Sequence, residues 1–182
     1  MLPDNESDYE DDGYDFAGGD DGEELDDEAL VWQLLLLINP GDEDSALQQF
    51  ARYREAREEN GDEREPAETV QEAIDWTSGF YVDWKDTASF VDVLDQLAAR
   101  WNLRIEWGVE DPTDDEFLDR VDVPELMSIA YDRLREHGYT LWNYDTGGDA
   151  YAGWIALRRD DENMKAVATG LGIDVQPANE AF

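Results

Sequence analysis

Few residues in this sequence are equipped for chemistry, and most of them have a plainer use. His137 is the only histidine and there is no cysteine. His137 stands just before Gly138 at the end of an apolar-periodic stretch. There an imidazole complements the negative end of a helix dipole. One histidine without cysteine excludes a multi-histidine or zinc–cysteine site, and with it disulfides, thiolate nucleophiles and iron–sulfur clusters. Asp83 and Asp86 flank Trp84-Lys85 at a strand-to-helix corner. General acid–base work needs one carboxyl desolvated and another kept ionised. The same spacing also suits a helix cap at Asp86 and an ion pair with Lys85. Asp145 and Asp149 flank Gly147-Gly148, a pattern for turn geometry or weak chelation. No window has the ligand order of a calcium-binding EF-hand loop. No G-x-G-x-x-G, G-x-x-x-x-G-K or G-x-S-x-G segment occurs. No catalytic residue, metal site or cofactor is therefore expected, and a non-enzymatic role takes precedence.

The aromatic residues are the more suggestive set. Tyr139–Tyr144 and Tyr151–Arg158 read as a hairpin around Asp145-Thr146-Gly147-Gly148-Asp149, the glycine pair supplying positive φ. Alternation puts Thr140, Trp142, Tyr144, Ala152, Trp154 and Ala156 on one face. Tyr139, Leu141, Asn143, Tyr151, Gly153, Ile155 and Leu157 take the other. Both faces then carry bulk suited to core packing, or to an aromatic groove. The candidate partner-binding residues are Trp84, Asp86, Tyr144, Asp145 and Asp149, combining aromatic anchors with acids.

These residues need elements to position them. Ala29–Ile38 reads as a buried helix stopped by Asn39-Pro40-Gly41. A second helix is expected near Glu43–Glu59, with Leu47, Phe50, Ala51 and Arg54 inward. A third starts at Pro66. Phe80–Trp84 reads as a short strand. The helix after Asp86 carries Phe90, Leu94, Leu97, Ala98 and Trp101 on one stripe. Leu103–Val109 alternates as a half-buried strand should. Glu110–Asp122 is an acidic connection with a helical turn near Phe117-Leu118. Pro124–His137 is a strong helix, Asp160 caps a last one, and Ile173–Gln176 is a short strand. From Leu103 onward the order is β-α-β-β-α-β. The expected fold is α+β: a helical N-terminal half packed on a ferredoxin-like (split βαβ), mostly antiparallel sheet.

Charge is the dominant compositional feature. The chain of 182 residues has 48 acids against 13 bases, a net charge of −35. Met1–Glu28 holds 14 of the acids and no lysine or arginine, which leaves residues 29–182 at −21. Met1–Asp27 is low-complexity Asp, Glu and Gly, expected to be a disordered acidic tail before a single α+β domain over 28–182. It lacks the positive charge and apolar run of a secretory signal. No apolar stretch approaches the roughly 20 residues that span a bilayer. A cytoplasmic location and no membrane partner are expected. The field repels nucleic acid, whose binding depends on Lys and Arg at phosphates, so direct nucleic-acid binding is not expected.

The segments Ser78-Gly-Phe-Tyr-Val-Asp-Trp-Lys-Asp86, Arg104-Ile-Glu-Trp-Gly108, His137-Gly-Tyr-Thr-Leu-Trp142 and Asp149-Ala-Tyr-Ala-Gly-Trp154 resemble a small bacterial family of unknown function. The resemblance covers about residues 76–175 and implies a bacterial cytoplasmic origin, but no activity.

Three functions fit the sequence. The first is a non-enzymatic binding protein for a basic macromolecular partner, such as an immunity-type inhibitor of a cationic toxin or a mimic of DNA's charge. The second is an acidic domain whose charge serves solubility or salt adaptation, a reading that the presence of only two lysines, Lys85 and Lys165, also fits. The third is an enzyme with a carboxylate- and aromatic-lined pocket. Oligomeric state is not legible in the sequence.

Overall fold

A computed structural model describes residues 20–182. The acidic tail expected over 1–27 lies for its first 19 residues outside the described residues, and a helix begins inside its remainder. This helix, α1 (Asp20–Leu37), is followed by α2 (Glu43–Asn60) and α3 (Pro66–Ala73). Strand β1 (Gly79–Asp83) comes next, then α4 (Thr87–Ala99), α5 (Asp115–Arg120) and α6 (Val123–Glu136). The hairpin β2 (Tyr139–Tyr144) and β3 (Ala150–Leu157), helix α7 (Asp161–Leu171) and strand β4 (Val175–Pro177) complete the described residues.

The fold is α+β, its helices concentrated in the N-terminal half and packed on a four-stranded antiparallel sheet. Strand order is β1-β3-β2-β4. β1 and β2 therefore run parallel with β3 between them, and β3 and β4 run parallel with β2 between them. Both split crossovers step across the sheet in the same direction, but from strands of opposite sense. Crossovers of one hand must then lie on opposite faces. They do: α4, α5 and α6 cover one face, and α7 with α1, α2 and α3 covers the other. The alternation of the hairpin serves both layers. Leu141 and Ile155 enter the first core, whereas Trp142, Tyr144, Ala152, Trp154 and Ala156 enter the second.

Local chemistry explains most boundaries. Pro66 opens α3 within its first turn. Asp86 caps α4 by accepting from the Ser89 N–H at 3.0 Å, and Asp122 caps α6 by accepting from Glu125 at 2.8 Å. Gly138 follows α6 at φ +87°, where a side chain would be strained. Asp160 stands at the N-cap position of α7 but makes no side-chain capping bond.

Two elements differ from expectation. Leu103–Val109 is not a strand. The segment is half-buried, Ile105 and Trp107 inward, but it lies against helices: Trp107 Nε1 donates to Asp95 Oδ1 at 3.0 Å and Arg133 Nε to the Glu106 carbonyl at 3.2 Å. Alternating burial reports an extended chain with one side covered, and it does so with or without a ladder partner. The first strand of the β-α-β-β-α-β order is instead β1. In α2 the inner face carries Ala46, Gln49 and Tyr53, while Leu47 is half exposed. The cause is a buried polar network. Asn39 Nδ2 donates to the Leu35 carbonyl and to Gln49 Oε1, each at 2.8 Å. Gln49 Nε2 donates to Ser78 Oγ at 2.7 Å, and Ser78 Oγ closes the ring on Asn39 Oδ1. Arg100, at the end of α4, donates to Asn39 Oδ1 at 2.8 Å and pairs with Asp42 at 3.0 Å. The α1–α2 turn, the entry to β1 and the end of α4 are thereby tied together.

Candidate functional site

The five residues singled out in the sequence separate into three environments. Trp84, Asp145 and Asp149 come together. The hairpin turn places Gly147 at φ +76°, and Asp145 Oδ1 accepts from the Gly147 N–H at 2.9 Å. The Trp84 N–H donates to the Asp149 carbonyl at 3.0 Å, binding the end of β1 to the turn. The result is a recess of about 470 Å3 whose wall includes Trp84, Tyr151, Phe182 and both aspartates. The Trp84 ring already carries a cation of this chain, with Lys85 Nζ 5.0 Å from its centroid. Asp86 is engaged in capping α4, and Asp83 Oδ1 accepts from the Lys85 N–H at 3.0 Å. Tyr144 points away from the turn into the second core. His137 is exposed at the end of α6.

Tyr144 belongs to a cleft that sequence reasoning missed, where α3 fails to cover the β1 edge of the sheet. α3 has 8 residues and stops at Ala73. The chain then turns, with the Ser78 and Gly79 N–H groups both donating to the Asp75 carbonyl at 3.0 Å, and this puts Trp76 outside. The register Tyr81↔Ala152↔Tyr144 sets a small residue between two tyrosines on one face, and Gly79 stands beside Trp154. Small residues in those rows leave a space of about 460 Å3, lined by Trp76, Tyr81, Tyr144 and Trp154 below a rim of Glu68, Glu72, Asp75 and Arg64. Gly79 is required there, because a Cβ would come within 2.9 Å of Ile74 Cγ2 and 3.0 Å of the Gly153 carbonyl.

The electrostatics of the cleft are specific. Arg64 meets Glu72 through two guanidinium nitrogens, at 2.7 and 2.5 Å. That hydrogen bonding holds the Glu72 carboxyl below the usual glutamate value. Burial pushes Asp75 up, but the Thr77 N–H and Arg52, 2.9 Å away, outweigh it and hold Asp75 below the usual value. Burial, reinforced by the neighbouring Tyr81, pushes the Tyr144 phenol up to about 12. Trp154 Nε1 is buried and has no acceptor. The sequence did carry one signal: Glu68, Gln71, Glu72 and Asp75 form a polar stripe at helical spacing. Nothing local shows that this stripe borders an uncovered sheet.

Among the described residues, no group of three or more His, Asp or Glu side chains is arranged to hold a metal ion. No helix among them is long and apolar enough to cross a membrane. Fold and site together define a small α+β domain with an acid-rimmed aromatic cleft at one sheet edge. The chain belongs to the family described as domain of unknown function DUF6630, which matches residues 30–178. The resemblance read over residues 76–175 falls inside that match, which also extends through the N-terminal helices. No curated protein and no solved structure matches the chain.

Proposed function

We propose that this chain is a non-enzymatic binding protein for a basic macromolecular partner, and that β1 and its two ends form the contact surface. One observation carries this reading. Of the large hydrophobic side chains exposed among the described residues, Trp76, Tyr81 and Trp84 all lie along this single edge strand and its flanks, and Phe182 adjoins Trp84. Carboxylates frame the row: Glu68, Glu72 and Asp75 at one end, Asp83, Asp145 and Asp149 at the other. Aromatic anchors inside a charged rim are the anatomy of a binding surface. The acid excess of residues 29–182 steers a basic partner to it.

The test is affinity capture from a lysate, with a charge-matched acidic protein as control. A basic protein is retained at low salt by this chain and not by the control. It is released at high salt, and it is retained less by a chain carrying Trp84→Ala with Asp145→Asn and Asp149→Asn. The proposal fails if only partners common to the control are held, if the complex ignores ionic strength, or if the purified chain turns over a small molecule at this edge. An immunity-type role predicts that the captured protein is a cationic toxin. A DNA-mimic role predicts a DNA-binding protein that nucleic acid displaces. A second reading, acidity as solubility or salt adaptation, is favoured by the two-lysine composition. It predicts that stability rises with salt while no partner is selected.

A further inference from the structure

We infer that the cleft between α3 and β1 receives one arginine side chain of the basic partner, an assignment that rests on the reading just given. Three carboxylates and one guanidinium line the cleft: Glu68, Glu72 and Asp75 against Arg64. The lining thus carries a net charge of two negative, in a chain whose net charge is −35. That field draws a cation in and opposes an anion. Its volume of about 460 Å3 falls in the about 300–1,000 Å3 range of sites that enclose a small guest.

The walls discriminate among cations. Trp76 and Tyr81 are 58% and 57% exposed and offer aromatic faces at the mouth. A guanidinium stacks on such faces and is more weakly hydrated than an ammonium, so it enters with less desolvation. The protein itself displays the polar half of the contact in the two-point pairing of Arg64 with Glu72. Glu68 is the carboxylate left for a guest. Its side chain is 60% exposed and its ion pair with Arg64 is long, at 4.0 Å. Below it the Tyr144 side chain is 8% exposed, and its hydroxyl makes no hydrogen bond with any described residue. A phenol oxygen in the wall of a cleft, without a donor, is an acceptor for a guanidinium N–H. A tyrosine phenol is protonated across the physiological range, and burial only pushes this one higher, so the oxygen accepts without adding charge.

The assignment is tested on the full chain with N-acetyl-arginine amide and its uncharged isostere N-acetyl-citrulline amide. Binding is followed by the indole N–H resonances in nitrogen-15 spectra. The arginine amide shifts the Trp76 resonance saturably, and the citrulline amide does not at equal concentration. Tyr81→Ala weakens binding about tenfold, between the exposed and the desolvated strength of a cation–π contact. Glu68→Gln weakens it too, and Val109→Ala, at an exposed residue that does not line the cleft, leaves it unchanged. Both cleft variants alter exposed side chains, and unchanged melting confirms that they fold. Equal binding of the two amides, shifts confined to Trp84, or no saturable shift at Trp76 overturns the assignment. A basic protein captured equally well by Tyr81→Ala and Glu68→Gln overturns it as well, while leaving the basic-partner reading intact. Arginine amide seated in the cleft, with no basic protein captured, does the opposite.

Discussion

Replacing Asn39 by alanine tests the polar network that sets the phase of α2 and the entry to β1. Asn39 is 1% exposed and its side chain takes part in four hydrogen bonds: two that it donates, to Leu35 and Gln49, and two that it accepts, from Ser78 and Arg100. Its removal orphans the Gln49 carbonyl and the Ser78 hydroxyl hydrogen, both on side chains 1% exposed. Arg100, whose Nη1 already lacks a partner, is left with Asp42 alone. A buried group stripped of its partner costs about 1–3 kcal/mol, so two such groups bring the expected loss to about 2–6 kcal/mol. That is a large part of the about 5–15 kcal/mol that holds a domain folded. Urea unfolding followed by tryptophan fluorescence should show a lower midpoint at unchanged slope. In the double variant Asn39→Ala with Gln49→Ala one orphan disappears, and the combined loss should fall short of the sum by about 1 kcal/mol or more. A loss under about 1 kcal/mol for Asn39→Ala, or strict additivity, refutes the account, since neither agrees with a closed buried ring.

Gly153→Ala should be among the most damaging single changes, because a Cβ there would lie 1.8 Å from the Trp142 carbonyl oxygen in the backbone of the neighbouring strand. An unfolding midpoint equal to wild type would mean that β2 and β3 are not so closely apposed. At the hairpin tip Gly147→Val should cost roughly 1 kcal/mol or more in urea, because φ is positive there. Gly148→Val should be nearly silent, since Gly148 is not in the left-handed region and has nothing within 4 Å of its would-be Cβ. Burial pushes the Asp95 carboxyl above its usual 3.8, so its ionisation works against folding as pH rises through and beyond that value. Asp95→Asn keeps an acceptor for Trp107 Nε1 and should raise the melting temperature at neutral pH. The gain should vanish in acid, where both states of the wild type are protonated, and a lower melting temperature at neutral pH contradicts the argument.

Several features were determined by the sequence alone because they depend on residues near one another in the chain. The Asp86 cap, the Pro66 start and the Gly138 stop are each settled within one helical turn. The hairpin follows from period-two alternation on either side of a glycine-containing turn, and the division of its side chains between two cores follows from the same alternation. The acid excess is a matter of composition. Tertiary structure decided the rest. Leu103–Val109 has the burial pattern of a strand, but a strand also requires an unpaired edge within reach, and this segment meets α4 and α6 instead. The inner face of α2 depends on Gln49, which in sequence is indistinguishable from a surface glutamine until Asn39 and Ser78 arrive from 10 and 29 residues away. Gly147 and Gly148 look alike in sequence, and only the folded turn requires positive φ of the first. The cleft is the least local feature of all. It exists because α3 is too short to reach the sheet edge and because Gly79 and Ala152 stand beside Trp154, Tyr81 and Tyr144. A space between elements is defined by what fails to cover it, and that depends on how distant parts of the chain pack.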